Sequence, residues 1–98
     1  MIGRDRGPDN ADSRVRLDKW LWAARFYKTR ALACDAIETG HVRVAGERVK
    51  PSRGVRAGDR VTVRKGGLAW EVEVVALAER RGSATDAAKL YREDPASA

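Results

Sequence analysis

The hydrophobic and polar positions become regular at residue 16 and first predict a short amphipathic helix over residues 17–26. Asp18 lies in its first turn, where a carboxylate can accept hydrogen bonds from unpaired backbone N–H groups and complement the helix dipole. The residues that form the apolar stripe recur at i, i+3, i+4 and i+7, the spacing of one helix face: Leu17, Trp20, Leu21 and Ala24.

A second helix is predicted over residues 30–39, after a tight basic turn. Thr29 suits its N-cap, and Gly40 suits the left-handed position at which many helices end. Cys34 and Ile37 belong to a face of small or apolar residues, which favours close packing on the first helix. Cys34 is therefore interpreted as a small buried hydrophobic residue.

Short alternating segments after Gly40 predict strands. A hairpin is expected over residues 41–50, and further strands are expected over residues 60–64 and 68–77, separated by glycine turns. Residues 84–92 are expected to form one more helix. The predicted fold class is α+β, with two short helices packed on a small, twisted antiparallel sheet.

Charge is concentrated in the part of the chain that carries these elements. The 98 residues have a net charge of +6 and a sequence pI near 10.1. Residues 14–65 contain fourteen Lys or Arg against five Asp or Glu, a local net charge of +9. This distribution favours a polyanionic partner, because cations that neutralise phosphates release condensed counterions.

Several classes of protein are disfavoured by what the sequence lacks. It has no apolar run of the ~20 residues needed to cross a bilayer, and its first residues lack the apolar segment of a signal peptide, so a cytoplasmic protein is expected. Cys34 has no second cysteine for a disulfide, and with His41 it supplies too few ligands for zinc. No cofactor and no catalytic residues are expected.

Two basic segments are candidates for nucleic-acid binding. The first helix carries a second face with Lys19, Trp22, Arg25 and Phe26, followed by Lys28 and Arg30. Cations on such a face can meet phosphates while an aromatic ring stacks on an unpaired base. Phe26 is interpreted mainly as a core residue, whereas Trp22 could serve either role.

The second candidate segment is a loop at residues 50–56. Its proline and glycine are expected to keep it out of the sheet, so that its cations and backbone N–H groups reach phosphate oxygens. Arg43 and His41 would extend this surface from the neighbouring strand. The cations of the loop are Lys50, Arg53 and Arg56.

These segments resemble a known domain. The run from Arg16 to Phe26, the triplet Lys28-Thr29-Arg30 and the later Val49-Lys50-Pro51-Ser52 and Gly58-Asp59 closely resemble the RNA-binding domain named after ribosomal small-subunit protein four. Within that superfamily, the chain is similar to the bacterial heat shock protein 15 family. The resemblance covers Arg14 to about Val75.

The resemblance implies a non-enzymatic, ribosome-associated protein that binds structured RNA. It implies docking on ribosomal RNA of the large subunit, including stalled subunits that retain peptidyl-transfer RNA, in rescue or recycling during heat stress. Asp18 would orient its neighbours. The resemblance adds Arg16, Thr29 and Ser52 to the candidate RNA-binding residues named above. The full set of candidates is Arg16, Lys19, Trp22, Arg25, Lys28, Thr29, Arg30, Arg43, Lys50, Ser52, Arg53 and Arg56.

The expected organisation is a disordered tail over residues 1–13, an RNA-binding domain over 14–78, and a linker with a helix over 79–98, in a monomer. Related heat shock proteins usually continue into a longer basic C-terminal extension. Two other functions stay open: a DNA-binding regulator, because two helices joined by a turn can imitate a helix-turn-helix, and a protein-interaction adaptor that uses the C-terminal segment.

Overall fold

The computed structural model describes residues 14–78 and 80–93, and it confirms the α+β fold. The predicted tail over residues 1–13 lies outside the described residues. In chain order the elements are β1 (Val15–Arg16), α1 (Leu17–Ala23), α2 (Arg30–Glu38), β2 (Val42–Val44), β3 (Glu47–Arg48), β4 (Gly54–Val55), β5 (Arg60–Lys65), β6 (Leu68–Val74), α3 (Ala84–Ala88) and β7 (Tyr91–Glu93).

Five of the strands form an antiparallel sheet in the order β3-β2-β5-β6-β7. Because side chains alternate between the two faces of a strand, the valines of β2, β5 and β6 point to one face. They are buried there with Leu17, Trp20 and Leu21 of α1 and Ile37 of α2. The apolar stripe predicted for the first helix therefore faces the core, as expected.

Helix α2 agrees closely with its prediction. The Thr29 side chain accepts a hydrogen bond from the backbone N–H of Leu32 at 3.1 Å. At the other end, Gly40 has φ +84°, its N–H donates to Ile37, and the N–H of His41 donates to Ala36. These two bonds make a Schellman motif, which satisfies the last helical carbonyls.

Helix α1 ends three residues before its predicted end. The N–H of Arg25 donates to Trp22 and that of Phe26 donates to Leu21, which is the same Schellman motif. The left-handed position is occupied by Arg25, with φ 64°, and not by a glycine. The sequence has no glycine here to mark the end of the helix. The helical spacing of residues up to Phe26 therefore led to a predicted helix that is too long.

The loop expected to stay outside any sheet is partly paired. Gly54 and Val55 form β4, which pairs antiparallel with β1 in a separate two-stranded sheet. Val55 is fully buried. The expectation therefore fails for these two residues, while Pro51 to Arg53 lie outside the strands.

The segment after Ala78 also differs from its prediction. The helix expected over residues 84–92 ends at Ala88, and residues 91–93 form strand β7 on the edge of the main sheet. Similarly, the strand expected to reach residue 77 ends at Val74. None of the helices in the described part of the chain has the length and apolar character needed to cross a membrane.

Candidate nucleic-acid interface

A buried carboxylate organises the cations where α1 begins. The Asp18 side chain is 1% exposed, and it accepts hydrogen bonds from Arg16 at 3.2 and 3.0 Å and from Arg30 at 3.4 Å. The two guanidinium groups remain about half exposed. Asp18 thus holds one cation from β1 and one from α2 at fixed positions while both can still contact a ligand.

The charge state of Asp18 follows from two opposing effects. Burial by itself would raise its pKa, but the hydrogen bonds from Arg16 and Cys34 and the positive charges of Arg16 and Arg30 outweigh it, so the pKa of Asp18 is lowered. The hydrogen bond and charge of Asp18 in turn raise the pKa of Arg16. Asp18 and Arg16 are therefore both charged at neutral pH.

Cys34 belongs to this cluster, which corrects its interpretation as a small buried hydrophobic residue. It is partly exposed, and its Sγ donates to Asp18 at 3.1 Å. Burial and the hydrogen bond to Asp18 raise the pKa of the thiol. Cys34 is thus a neutral donor that helps to satisfy the buried carboxylate.

The basic loop is fixed to α1 by backbone bonds. The N–H of Leu17 donates to the carbonyl of Arg53 at 2.8 Å, and the N–H of Asp18 donates to that of Pro51 at 3.2 Å. These donors are the unpaired N–H groups at the start of a helix, and the loop satisfies them in place of a side-chain cap. The loop carbonyls thus face the helix, and Lys50, Ser52 and Arg53 are exposed.

The expectation that loop N–H groups contact phosphates is restricted by internal bonds. The N–H of Arg53 donates to the carbonyl of Lys50 at 2.9 Å, and that of Arg56 donates to the Asp59 carboxylate at 3.1 Å. These two backbone donors are occupied, so neither is available to a phosphate.

Loop and helices together border one open groove, which we call the Asp18 groove. Its volume is about 570 Å³, and it also includes the acidic Glu38 and the apolar Val49. Lys28 and Thr29 are exposed in the turn that precedes Arg30. Among the candidate residues, Arg16, Lys50 and Ser52 line the groove, and Arg30 is linked to Arg16 through Asp18. The full lining is Arg16, Cys34, Glu38, Val49, Lys50, Pro51 and Ser52.

Two other candidates on α1 are partly buried. Lys19 is partly buried, and Trp22 packs against the edge of the core. The carbonyl of Trp22 accepts a hydrogen bond from Arg81 at 3.1 Å. Phe26 also packs against the core, with its ring centroid 4.8 Å from that of Tyr91, as the core interpretation predicted.

Arg25 lies apart from the groove and contacts the C-terminal segment. Its guanidinium donates twice to the carbonyl of Gly82, at 3.0 and 2.8 Å. Arg25 therefore has a structural contact that its sequence position did not indicate. Arg56 is exposed after β4, in a turn held by Asp59.

Arg43 does not extend the loop surface. It lines a second cavity beside His41, together with two cations that the sequence reasoning missed, Arg64 and Lys65. The basic pair directly before Gly66-Gly67 was the signal that could have identified them, since it places two cations at the tip of a hairpin.

Comparison with known proteins gives this surface a family context. A match to the S4 domain covers residues 15–61, from β1 to the start of β5. The heat shock protein 15 homolog of Aeromonas salmonicida is 51% identical over 90 residues, which span 92% of this chain and 68% of that protein. Heat shock protein 15 of Escherichia coli K12 is 54% identical over 79 residues, which span 81% of this chain and 59% of that protein.

Two further relatives extend the comparison. The RQC P-site tRNA stabilizing factor of Bacillus subtilis is 35% identical over 77 residues, which span 79% of this chain and 88% of that protein. The solved trimeric structure of Vibrio cholerae heat shock protein 15 superposes with a TM-score of 0.83 at 46% identity, covering 86% of this chain and 85% of that one.

Proposed function

This chain belongs to the heat shock protein 15 family, and from that premise we propose that it is a non-enzymatic protein that docks on structured RNA of the large ribosomal subunit. In this proposal it acts on stalled subunits that retain peptidyl-transfer RNA, in their rescue or recycling during heat stress. The S4 domain match and the names of the relatives support the RNA-binding, ribosome-associated part of this role.

The observation that carries the proposal is the Asp18 groove. One buried carboxylate holds two arginines from different elements, and backbone bonds hold the basic loop beside them. Phosphate contacts of this kind position a protein on RNA, and fixed cations lose little conformational entropy on binding. The arrangement suits recognition of backbone shape rather than base sequence.

The peptidyl-transfer RNA part of the proposal takes its support from one group of relatives. Proteins named RQC P-site tRNA stabilizing factor align with most of this chain at 30–35% identity. A stalled large subunit that retains a transfer RNA offers ribosomal RNA and transfer RNA side by side, so a protein with cations on more than one side can contact both.

A DNA-binding role is less compatible with the second helix. A recognition helix must enter the major groove between phosphates. After Arg30 at its first position, α2 carries no cation, and the acidic Asp35 is exposed on it. Like-charge contacts disfavour this docking, so DNA binding is the second candidate, and competition by duplex DNA is the measurement that separates it.

The test is sedimentation of the protein with separated ribosomal subunits at one fixed salt concentration. The test variant combines Lys50→Ala and Arg53→Ala, since both side chains are exposed on the loop. The matched control combines Arg60→Ala and Arg92→Ala, which removes the same charge from exposed arginines that pair with Glu71 and Glu73. We expect wild type and control to pellet with large subunits, and the test variant to bind about tenfold more weakly.

The outcomes separate the parts of the proposal. Equal losses in the two variants would show attraction by bulk charge, and pelleting with small subunits would contradict the choice of subunit. Duplex DNA that competes as well as ribosomal RNA would favour the regulator. Large subunits that carry peptidyl-transfer RNA are expected to bind more tightly than vacant ones, and equal binding would remove stalled subunits from the proposal.

A further inference from the structure

A second basic cavity lies where the strands β2 and β5 meet the end of α2. We call it the strand-end pocket, and its volume is about 430 Å³, within the range of small-ligand sites. Arg43, Arg64, Lys65 and His41 line it, and none of its lining residues is acidic. It shares no lining residue with the Asp18 groove.

The charges on this face of the sheet are unevenly distributed. Val42, Val44, Val61 and Val63 are buried on the helix side, so Arg43 and Arg64 point to the opposite face. Towards the other edge of that face, Arg60 pairs with Glu71 at 3.9 Å and Arg92 with Glu73 at 2.6 Å.

The pocket itself contains no such pairing. Among the described residues, no carboxylate forms a salt bridge with Arg43, Arg64 or Lys65. Like charges gathered without a counterion repel one another, and an anionic ligand would relieve that repulsion.

Hydrogen bonds already hold four of the pocket residues in place. Arg43 donates to the carbonyl of Gly40 at 3.3 Å, and the Lys65 ammonium donates to the carbonyl of Phe26 at 2.8 Å. The Thr39 hydroxyl donates to the Asp35 carbonyl and lies 2.6 Å from Nδ1 of His41.

Arg64 is the pocket cation best placed to meet a ligand. Its side chain is exposed, and its backbone N–H donates to the carbonyl of His41 at 2.8 Å. A guanidinium offers two parallel donors that match phosphate oxygens.

We propose that the strand-end pocket is a second phosphate-binding site, which receives the backbone of an RNA segment other than the one in the Asp18 groove. The ligand chemistry is a phosphate group, met by Arg64 and Arg43, while the Lys65 ammonium at the pocket wall is engaged with the Phe26 carbonyl and the Tyr27 ring. In naming RNA as the source of the phosphate, the proposal rests on the proposed function. A protein with two separate phosphate sites can bridge two RNA segments, and the linked contacts raise the overall affinity.

The test compares two neutral substitutions on the same strand and the same face. Arg64→Gln removes the pocket cation, and Arg60→Gln removes an exposed arginine four residues away that pairs with Glu71. The isotope-labelled proteins are titrated with a short A-form RNA duplex and, separately, with inorganic phosphate, while backbone amide resonances are followed by NMR. Thermal unfolding confirms that both variants are folded.

We expect the duplex to shift the resonances of residues 39–43 and 64–67 as well as those of the Asp18 groove. Arg64→Gln is expected to weaken duplex binding about tenfold, and Arg60→Gln less than twofold. Shifts confined to the Asp18 groove, or equal losses in the two variants, would overturn the second site.

The phosphate titration distinguishes the two sources of the ligand. If inorganic phosphate shifts the pocket resonances and the duplex does not, the pocket binds free phosphate and the RNA assignment is overturned. Binding at the strand-end pocket is measured from the resonances of its own residues and does not depend on ribosomal subunits. Wild-type protein that fails to pellet with large subunits would therefore contradict the proposed function, but it would not contradict phosphate binding at the pocket.

Discussion

At the scale of single residues, the interface depends on where one negative charge is buried. A carboxylate that is removed from water is costly unless hydrogen bonds and opposite charges compensate it. Asp18 receives compensation from Arg16, Arg30 and Cys34, which belong to β1 and α2. The same contacts that stabilise the carboxylate also position two cations for a ligand.

Replacement of this charge tests its contribution to stability. Asp18→Asn keeps the size of the side chain but removes its charge. Its amide NH₂ group would also lie beside Arg16, Arg30 and Cys34, which are themselves hydrogen-bond donors and need an acceptor. We expect a loss of about 1–3 kcal/mol in the free energy of unfolding, measured by urea denaturation at pH 7. Asp35→Asn is the control, since Asp35 is exposed on α2 and surface changes cost within about 0.5 kcal/mol.

The lowered pKa of Asp18 also fixes the sign of a pH effect. The folded protein binds the proton of Asp18 less tightly than the unfolded chain does, so stabilisation is complete above the ordinary aspartate pKa of ~3.9. It is lost as the pH falls through the lower pKa of the folded state. The difference between wild type and Asp18→Asn should therefore shrink in acid, and an unchanged difference would contradict this account.

Arg25 combines an unfavourable backbone conformation with a favourable side-chain contact. Its φ of 64° lies in the left-handed region, which costs an ordinary residue ~1 kcal/mol relative to glycine. Its guanidinium recovers part of this cost by its two bonds to the carbonyl of Gly82. Position 25 is thus a point where α1 and the C-terminal segment are joined.

Two substitutions separate the two effects at position 25. Arg25→Ala and Arg25→Gly both lose the contact with Gly82, but only glycine relieves the backbone. We expect Arg25→Gly to be more stable than Arg25→Ala by about 0.5–1 kcal/mol, measured by urea unfolding of both variants. Equal stabilities, or a more stable alanine variant, would show that the left-handed conformation carries no cost here.

At the scale of elements, the sequence predicted what local patterns determine. Helix α2 has a side-chain cap at Thr29 and a glycine stop at Gly40, and its bounds were predicted to within one residue. The end of α1 was not predictable in this way, because an arginine occupies its left-handed position. Strand β7 was missed because pairing with β6, a tertiary contact, overrides the weak helical pattern of three residues.

The candidate site likewise has a part that local sequence patterns predicted and a part that depends on tertiary contacts. The basic loop and the turn before α2 were visible as clusters of cations, yet only the fold shows that Asp18 links Arg16 with Arg30. The separation of Arg43 from the loop follows from sheet register, because Arg43 faces away from the helices. The alternation of Val42, Arg43 and Val44 indicates which way Arg43 faces, but only the fold shows that the loop is bound to α1 on the other side of the sheet.

Strand β7 gives an element-scale prediction. Tyr91 is partly buried, and its ring packs at a tilt against that of Phe26. Arg25, next to Phe26, holds the segment before β7 through its bonds to Gly82. We expect Tyr91→Ala to lower the free energy of unfolding by about 1–2 kcal/mol, measured by thermal and urea unfolding. Arg92→Ala on the same strand is the control, since its exposed pair with Glu73 contributes less than about 1 kcal/mol. Equal effects would show that β7 is not docked through Tyr91.

At the scale of the whole molecule, charge is distributed so that two basic surfaces flank the end of α2. Glu38 lies in the Asp18 groove and Thr39 in the strand-end pocket, so consecutive residues belong to different surfaces. Residues 14–65 carry a net charge of +9, whereas towards the β6–β7 edge of the sheet Glu71 and Glu73 pair with Arg60 and Arg92. The long-range attraction to a polyanion is therefore directional.

The salt dependence of binding tests this distribution. Each cation that contacts a phosphate contributes about 0.7–0.9 to the slope of log affinity against log salt. Lys50→Ala should therefore reduce the slope for large-subunit binding by somewhat under one unit, whereas Arg92→Ala should leave it unchanged, because Arg92 is paired with Glu73 at the far edge of the sheet. Affinity is measured over a salt series for wild type and both variants. Identical slopes for all three proteins would mean that Lys50 meets no phosphate, while equal reductions in both variants would mean that net charge alone, and not its placement around Asp18, determines binding.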